Sequence, residues 1–189
     1  LKIQKMKNLK FIYSIIVLSF VFTSCSNDDD VPVPVNEEEI ITTVIATLVA
    51  EGSTVTLTSR DLDGDGPDEA DVTVSGDFQV GLTYVGSVQF LNETENPAED
   101  ITEEVEEEAE EHQVFFLLSA GLDGTINYGN NDGDGNPLGT QFSLLPNAAG
   151  NGNFAIILRH EPKKPNDGTL DDAGGETDVI VTFQVTFEE

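Results

Sequence analysis

The chain has 189 residues, with 36 Asp and Glu against eight Lys and Arg and a formal charge of −28. So acidic a body makes nucleic acid and anionic lipid headgroups poor partners and cations natural ones. Val, Ile, Leu and Phe nevertheless recur in alternating patterns along most of its length, which excludes a disordered acidic polymer and predicts a packed core.

The N-terminal stretch carries Lys2, Lys5, Lys7 and Lys10, then an apolar run from Phe11 to Phe22, then Thr23-Ser24-Cys25. A positive start, an apolar run too short to span a bilayer and small residues after it predict an export signal over residues 1–24. Met6-Lys7-Asn8-Leu9-Lys10 would serve as such a start by itself, so Met6 is an alternative first residue. Cys25 is the only cysteine, which leaves it as a free thiol, an intermolecular bridge or a modified residue. Phe22-Thr23-Ser24-Cys25 resembles a bacterial lipobox, and Ser26-Asn27-Asp28-Asp29-Asp30 resembles the acidic tag of Bacteroidota lipoproteins bound for the outer surface. That resemblance implies lipidation of Cys25 with several acyl chains, as stable anchoring requires. The plainer alternative is an ordinary signal with an incidental cysteine. Without residues 1–24, four basic residues remain against 36 acidic ones, a net charge of −32.

Residues 25–38 alternate Val and Pro after the aspartates, a composition that keeps a chain extended and predicts a tether. Residues 39–189 then have the length of one domain. The run Glu39 to Val49 is rich in β-branched residues, Glu51-Gly52-Ser53 interrupts it, and Thr54 to Ser59 resumes it, predicting a hairpin. Further strands are expected at Asp71 to Ser75, Phe78 to Val80, Leu82 to Leu91, Val114 to Ser119, Thr125 to Tyr128, Gln141 to Leu145, Phe154 to His160 and Asp178 to Phe187. In the last, Val179, Val181, Phe183, Val185 and Phe187 share one face. Many short strands between Gly-, Asn- and Asp-rich turns predict an all-β fold, a single antiparallel β-sandwich of Ig-like architecture. Between residues 97 and 112, Ile101, Val105, Ala109 and His112 recur at helical spacing behind Asp100 as a cap. A short acidic helix fits this segment, but glutamates four apart repel in a helix, and Ile101 to Val105 would serve equally as an edge strand.

Two loops offer oxygen ligands on alternate residues: Asp61, Asp63, Asp65 and Asp68 in the first, and Asn130, Asp132 and Asp134 in the second. Such loops suit Ca²⁺. The first resembles half of an EF-hand, or the calcium loops of dockerins and thrombospondin repeats, but Val72 stands where an EF-hand has its bidentate Glu. The alternative is that Asp-Gly and Asn-Gly simply make turns. The two histidines, His112 and His160, fall at strand ends. With a carboxylate such as Glu108 or Glu111 they would form a Zn²⁺ site. The bland alternative is a pair of hydrogen-bonded surface histidines. The glutamate run reads either as a solvated face that discourages edge pairing or as a cation-attracting patch. The long segment from Arg159 through Pro162-Lys163-Lys164-Pro165 to Asp178 is where a ligand or partner is expected on a rigid sandwich. No Gly-x-Ser-x-Gly elbow and no assembled acid–base pair is present, so no enzyme is predicted.

Leu91-Asn92-Glu93, Pro97 to Thr102, Glu111-His112-Gln113, Leu158-Arg159-His160 and Gly174-Gly175-Glu176-Thr177-Asp178 together resemble a group of small Flavobacteriia lipoproteins. That group often carries the label "type 1 periplasmic binding fold superfamily protein", and the resemblance spans residues 25–189. The two α/β lobes the label names conflict with a short, strand-rich chain. The resemblance therefore implies an exported, outer-membrane, cell-surface location. The expected function is a membrane-anchored, non-enzymatic lipoprotein that binds a metal cation, with an outer-membrane transporter as partner. The alternative is a structural or adhesive module with calcium-stabilised acidic loops.

Overall fold

The computed structural model describes residues 39–64 and 66–189. The expected signal, Cys25, the tether and Asp65 of the first acidic loop lie outside the described residues. Strands β1 (Thr43–Ala50) and β2 (Ser53–Arg60) form the expected hairpin, with Ala50 opposite Ser53 and Gly52 at φ +76° in the turn. Glycine takes that backbone region without the clash a Cβ brings. Residues 39–42, expected to begin the first strand, precede it instead.

The remaining strands are β3 (Asp71–Val74), β4 (Phe78–Gln79), β5 (Tyr84–Asn92), β6 (Glu99–Asp100), β7 (His112–Leu118), β8 (Asp123–Tyr128), β9 (Gln141–Ala148), β10 (Gly150–His160) and β11 (Glu176–Glu188). One sheet runs β3-β2-β1-β5-β9-β8 with β6 attached to β5, and the other runs β4-β11-β10-β7. Every pairing is antiparallel except that of β4 with β11. This is the all-β sandwich that the strand pattern predicts.

Period-two alternation decides what is buried. In β5, Tyr84, Val88 and Phe90 point inward, and in β11 Phe183, Val185 and Phe187 do so while Ile180 is 62% exposed. Gly86 is opposite Phe142, and a Cβ there would come within 2.7 Å of the Phe142 ring. The missing side chain lets Phe142 stack on Phe116 at 4.2 Å between the sheets.

The acidic segment takes the helical reading: Ile101 to Val105 lies in a helix rather than an edge strand, and only the two residues before it are strand. Glu99 and Asp100 pair with β5 as β6, and α1 (Ile101–Glu107) follows at once, with the Asp100 carboxylate accepting from the Thr102 N–H. The helix exists because its stripe is buried: Ile101, Val105, Ala109 and, past its end, His112 are at most 8% exposed. Tertiary burial outweighs glutamate repulsion that would unwind so short a helix in isolation. The long segment after β10 carries α2 (Leu170–Ala173), which packs Ala173 and Leu170 on Phe115 and Ile157 at the outer face of the second sheet.

At one edge Arg60 of β2 makes a 2.8 Å ion pair with Glu93, whose other oxygen accepts from the Thr43 hydroxyl of β1 at 2.6 Å. The guanidinium and the hydroxyl hold the Glu93 carboxyl down to about 2. A folded value below the unfolded one makes this contribution present above the ordinary glutamate range and lost as pH falls through about 2. The stability difference between the wild type and Glu93→Gln, read from urea melts, is therefore expected to shrink steadily as pH falls toward about 2. For the core, Phe183→Ala is expected to cost about 3–5 kcal/mol in the same melts, whereas Ile180→Ala on the opposite face of β11 changes stability by under about 0.5 kcal/mol.

Candidate metal centre

The two histidines meet because of strand register. In the β7–β10 ladder His112 stands directly opposite His160, and both share the inward face with Val114 and Leu158. Their rings lie 4.7 Å apart, tilted by 32°, and are 0% and 3% exposed. They close one end of the space between the sheets.

Asp178 joins them through an irregularity. Along β10 and β11 the register passes from Leu158 opposite Val179 to Arg159 opposite Thr177, stepping over Asp178. Strict alternation would put Asp178 on the side of exposed Ile180; the bulge re-aims it. Its side chain is 1% exposed, with Oδ1 at 3.7 Å from His160 Nδ1 and Oδ2 at 4.0 Å from His112 Nε2. Glu39, on the run-in to β1, places Oε1 at 3.0 Å from His112 Nε2 and Oε2 at 3.6 Å from His160 Nδ1, and is 5% exposed.

One ligand atom from each of Glu39, His112, His160 and Asp178 lies within 4.8 Å of the others, and this buried group can hold a metal ion. Ligands bonded tetrahedrally at about 2.0–2.1 Å stand about 3.3 Å from one another. The contacts of 3.0, 3.6, 3.7 and 4.0 Å bracket that spacing.

Hydrogen bonding supports the same conclusion. His112 Nδ1 is 3.2 Å from the Glu108 carbonyl oxygen, a contact that needs a proton on Nδ1 because a carbonyl only accepts. On the same ring, Nε2 faces Glu39 Oε1 at 3.0 Å. Consistently, His112 Nε2, Glu39 Oε2 and both ring nitrogens of His160 have no hydrogen-bond partner among the described residues. Buried polar atoms in that condition are costly, and a cation at their common centre satisfies them together. The Glu108 carbonyl meanwhile fixes tautomer and ring orientation, as outer partners of metal-binding histidines do. The field of this cluster reaches α1: burial, then the neighbouring Glu108, Glu39 and Glu99, push the Glu104 carboxyl up.

The expected residues are placed as follows. His112 and His160 come together, buried rather than at the surface. Glu108 serves through its main-chain oxygen, and Glu111 is exposed, grouped with His160 and Glu161. The buried carboxylates are Glu39 and Asp178. Glu39 is the last of three consecutive glutamates, which hides it, whereas Asp178 carries a weak signal as the acidic residue that opens an otherwise apolar alternation.

The two acidic loops spend their oxygens on turns. Asp61 Oδ1 accepts from the Gly64 N–H at 2.9 Å and Asp63 Oδ2 from the Asp68 N–H at 3.3 Å, with Asp63 and Asp68 exposed. Asp132 Oδ1 accepts from the N–H groups of Asp134 and Asn136, and Asn130 Oδ1 from those of Gly139 and Gln141, while Asp134 is exposed. The Lys164 ammonium stands 3.2 Å from Asp132 Oδ2, a cation already in place. Burial pushes the Asp132 carboxyl up, but Asn136 and Lys164 outweigh it and hold it below the ordinary range. Burial also pushes the Lys164 ammonium down, only partly opposed by Asp132. These contacts are those of the turn-only alternative.

Comparison of the chain with protein-family models, with curated proteins and with solved structures finds no match.

Lys164→Ala leaves Asp132 buried without its counter-charge and is expected to cost about 3 kcal/mol, at the low end for a broken buried pair because Asn136 still donates. Lys163→Ala, which removes an exposed pair with Asp172, leaves the melting midpoint nearly unchanged.

Proposed function

We propose that the protein is an exported, lipid-anchored, non-enzymatic module that binds one divalent transition-metal ion of the zinc class at Glu39, His112, His160 and Asp178. The observation that carries this reading is the convergence of Glu39, His112, His160 and Asp178 in one buried group, with His112 Nε2 3.0 Å from a Glu39 oxygen. Two imidazoles and two carboxylates suit Zn²⁺ or a neighbouring transition metal, whereas Ca²⁺ and Mg²⁺ favour all-oxygen shells. Four protein ligands fill a tetrahedral shell and leave no position for a reacting water, which favours holding an ion over hydrolysis. The lipobox-like run Phe22-Thr23-Ser24-Cys25 and the resemblance to Flavobacteriia lipoproteins support lipidation of Cys25 and an outer-membrane, surface-exposed address. A transporter in that membrane is the partner that an ion-capturing lipoprotein would serve.

A second reading is favoured by where the ligands come from. Glu39 precedes the first sheet, while His112, His160 and Asp178 belong to the second. An ion there would staple the sheets, making the protein a structural or adhesive module. Calcium in the acidic loops adds less to this reading, since their oxygens already accept main-chain hydrogen bonds.

Calorimetric titration of the chain with ZnCl₂ is expected to give one ion per chain, with affinity falling more than about 100-fold in His112→Ala, His160→Ala. Absence of zinc uptake by the wild type would sink the proposal. Circular dichroism after chelation separates the two readings: a folded apo chain supports capture, and loss of the strand signal supports the staple.

A further inference from the structure

The group of Glu111, His160 and Glu161 lies just outside the buried centre and shares a ring with it. Glu111 precedes His112 and Glu161 follows His160, so the rung beyond the histidine pair is a glutamate pair, and the Glu161 N–H donates to the Glu111 carbonyl at 2.7 Å. Like charges directly opposite across a ladder repel. Both carboxylates are exposed, and one ligand atom from each lies within 4.8 Å of a His160 nitrogen. His160 is 3% exposed, and its Nδ1 faces Glu39 and Asp178. Its Nε2, on the far side of the ring, is buried and has no hydrogen-bond partner among the described residues.

We infer that Glu111, Glu161 and His160 form an outer subsite for a divalent transition-metal ion, through which the buried centre is loaded. The inference rests on the metal-binding reading above. Both groups draw on the one His160 ring, so an ion occupies the two positions in turn. The exposed carboxylates supply the local potential that draws the ion from solution.

The test is stopped-flow uptake of ZnCl₂ by the full chain and by Glu111→Gln, Glu161→Gln, with release followed by chelator competition. An entry port speeds entry and exit alike. The variant is therefore expected to lower the association and dissociation rate constants together by about tenfold, leaving Kd within about threefold. A weakened Kd at unchanged association rate would mean that the glutamates only accept the His160 N–H, and would overturn the port. Unchanged kinetics, or two zinc ions held at once per wild-type chain, would also overturn it while leaving the buried centre standing. A wild type that takes up no zinc overturns both. Melts of the apo variant check that the exposed, isosteric changes leave folding intact.

Discussion

A carboxylate held out of water against two imidazoles sets the terms for one end of this sandwich. Glu39 is 5% exposed, and the groups within 4.0 Å that could carry positive charge are His112 and His160. One imidazole is oriented by the Glu108 carbonyl at its Nδ1, which turns Nε2 toward that carboxylate. Isolated buried charge is among the costliest features a fold can contain, and the usual remedies are proton uptake, a salt bridge or a metal. The same chain uses the salt-bridge remedy elsewhere: Asp132, equally enclosed, has Lys164. With few basic residues in the whole chain, a second such partner is scarce, and the histidine cluster is built instead from groups that bind cations.

The sandwich makes that cluster by ordinary means. Antiparallel register sets His112 opposite His160, and alternation turns both inward with Val114 and Leu158. One bulge redirects Asp178, and the non-strand run-in to β1 brings Glu39 from the other sheet. Three of the four ligands thus sit on hydrogen-bonded strands, whose positions are fixed by the same core that Phe183 and Phe154 fill. A site on strands is held more closely than one on loops, which suits an ion that demands a set ligand spacing.

Much of the fold could be read from the sequence because alternation is a local signal. The β11 face of Val181, Phe183, Val185 and Phe187 is evident from spacing alone, as is the hairpin around Gly52. The strand pairing that joins residues 112 and 160 depends on contacts far apart in sequence, so the histidines could be nominated but not brought together. The carboxylates were harder still. Asp178 faces inward only because the ladder slips by one residue, and a bulge has no periodic signature. Glu39 was hidden by Glu37 and Glu38, and by β-branched neighbours that made the run-in look like strand. Asp132 shows the same limit: its Asp-Gly-Asp-Gly setting is local, whereas the lysine that stands 3.2 Å from its carboxylate lies 32 residues away.

Charge and chemistry divide the labour of cation binding between the surface and the interior. The acidic exterior attracts any cation, and its field falls off within a Debye length at physiological salt, so it concentrates ions without choosing among them. Choice requires donors that distinguish ions, and under the proposed metal binding the imidazoles would supply that distinction, since nitrogen favours zinc-class ions over Ca²⁺ and Mg²⁺. Enclosure then governs retention. An ion that must shed water to enter a site whose side chains are at most 5% exposed leaves slowly for the same reason it enters slowly, unless exposed carboxylates at the rim replace part of its shell. Glu111 and Glu161 occupy that rim position beside His160, and the glutamate run from Glu103 onward leads to it. If the buried centre is loaded as proposed, the acidity of the segment between α1 and β7 has a physical use beyond solubility, one that a neutral edge of the same shape would lack.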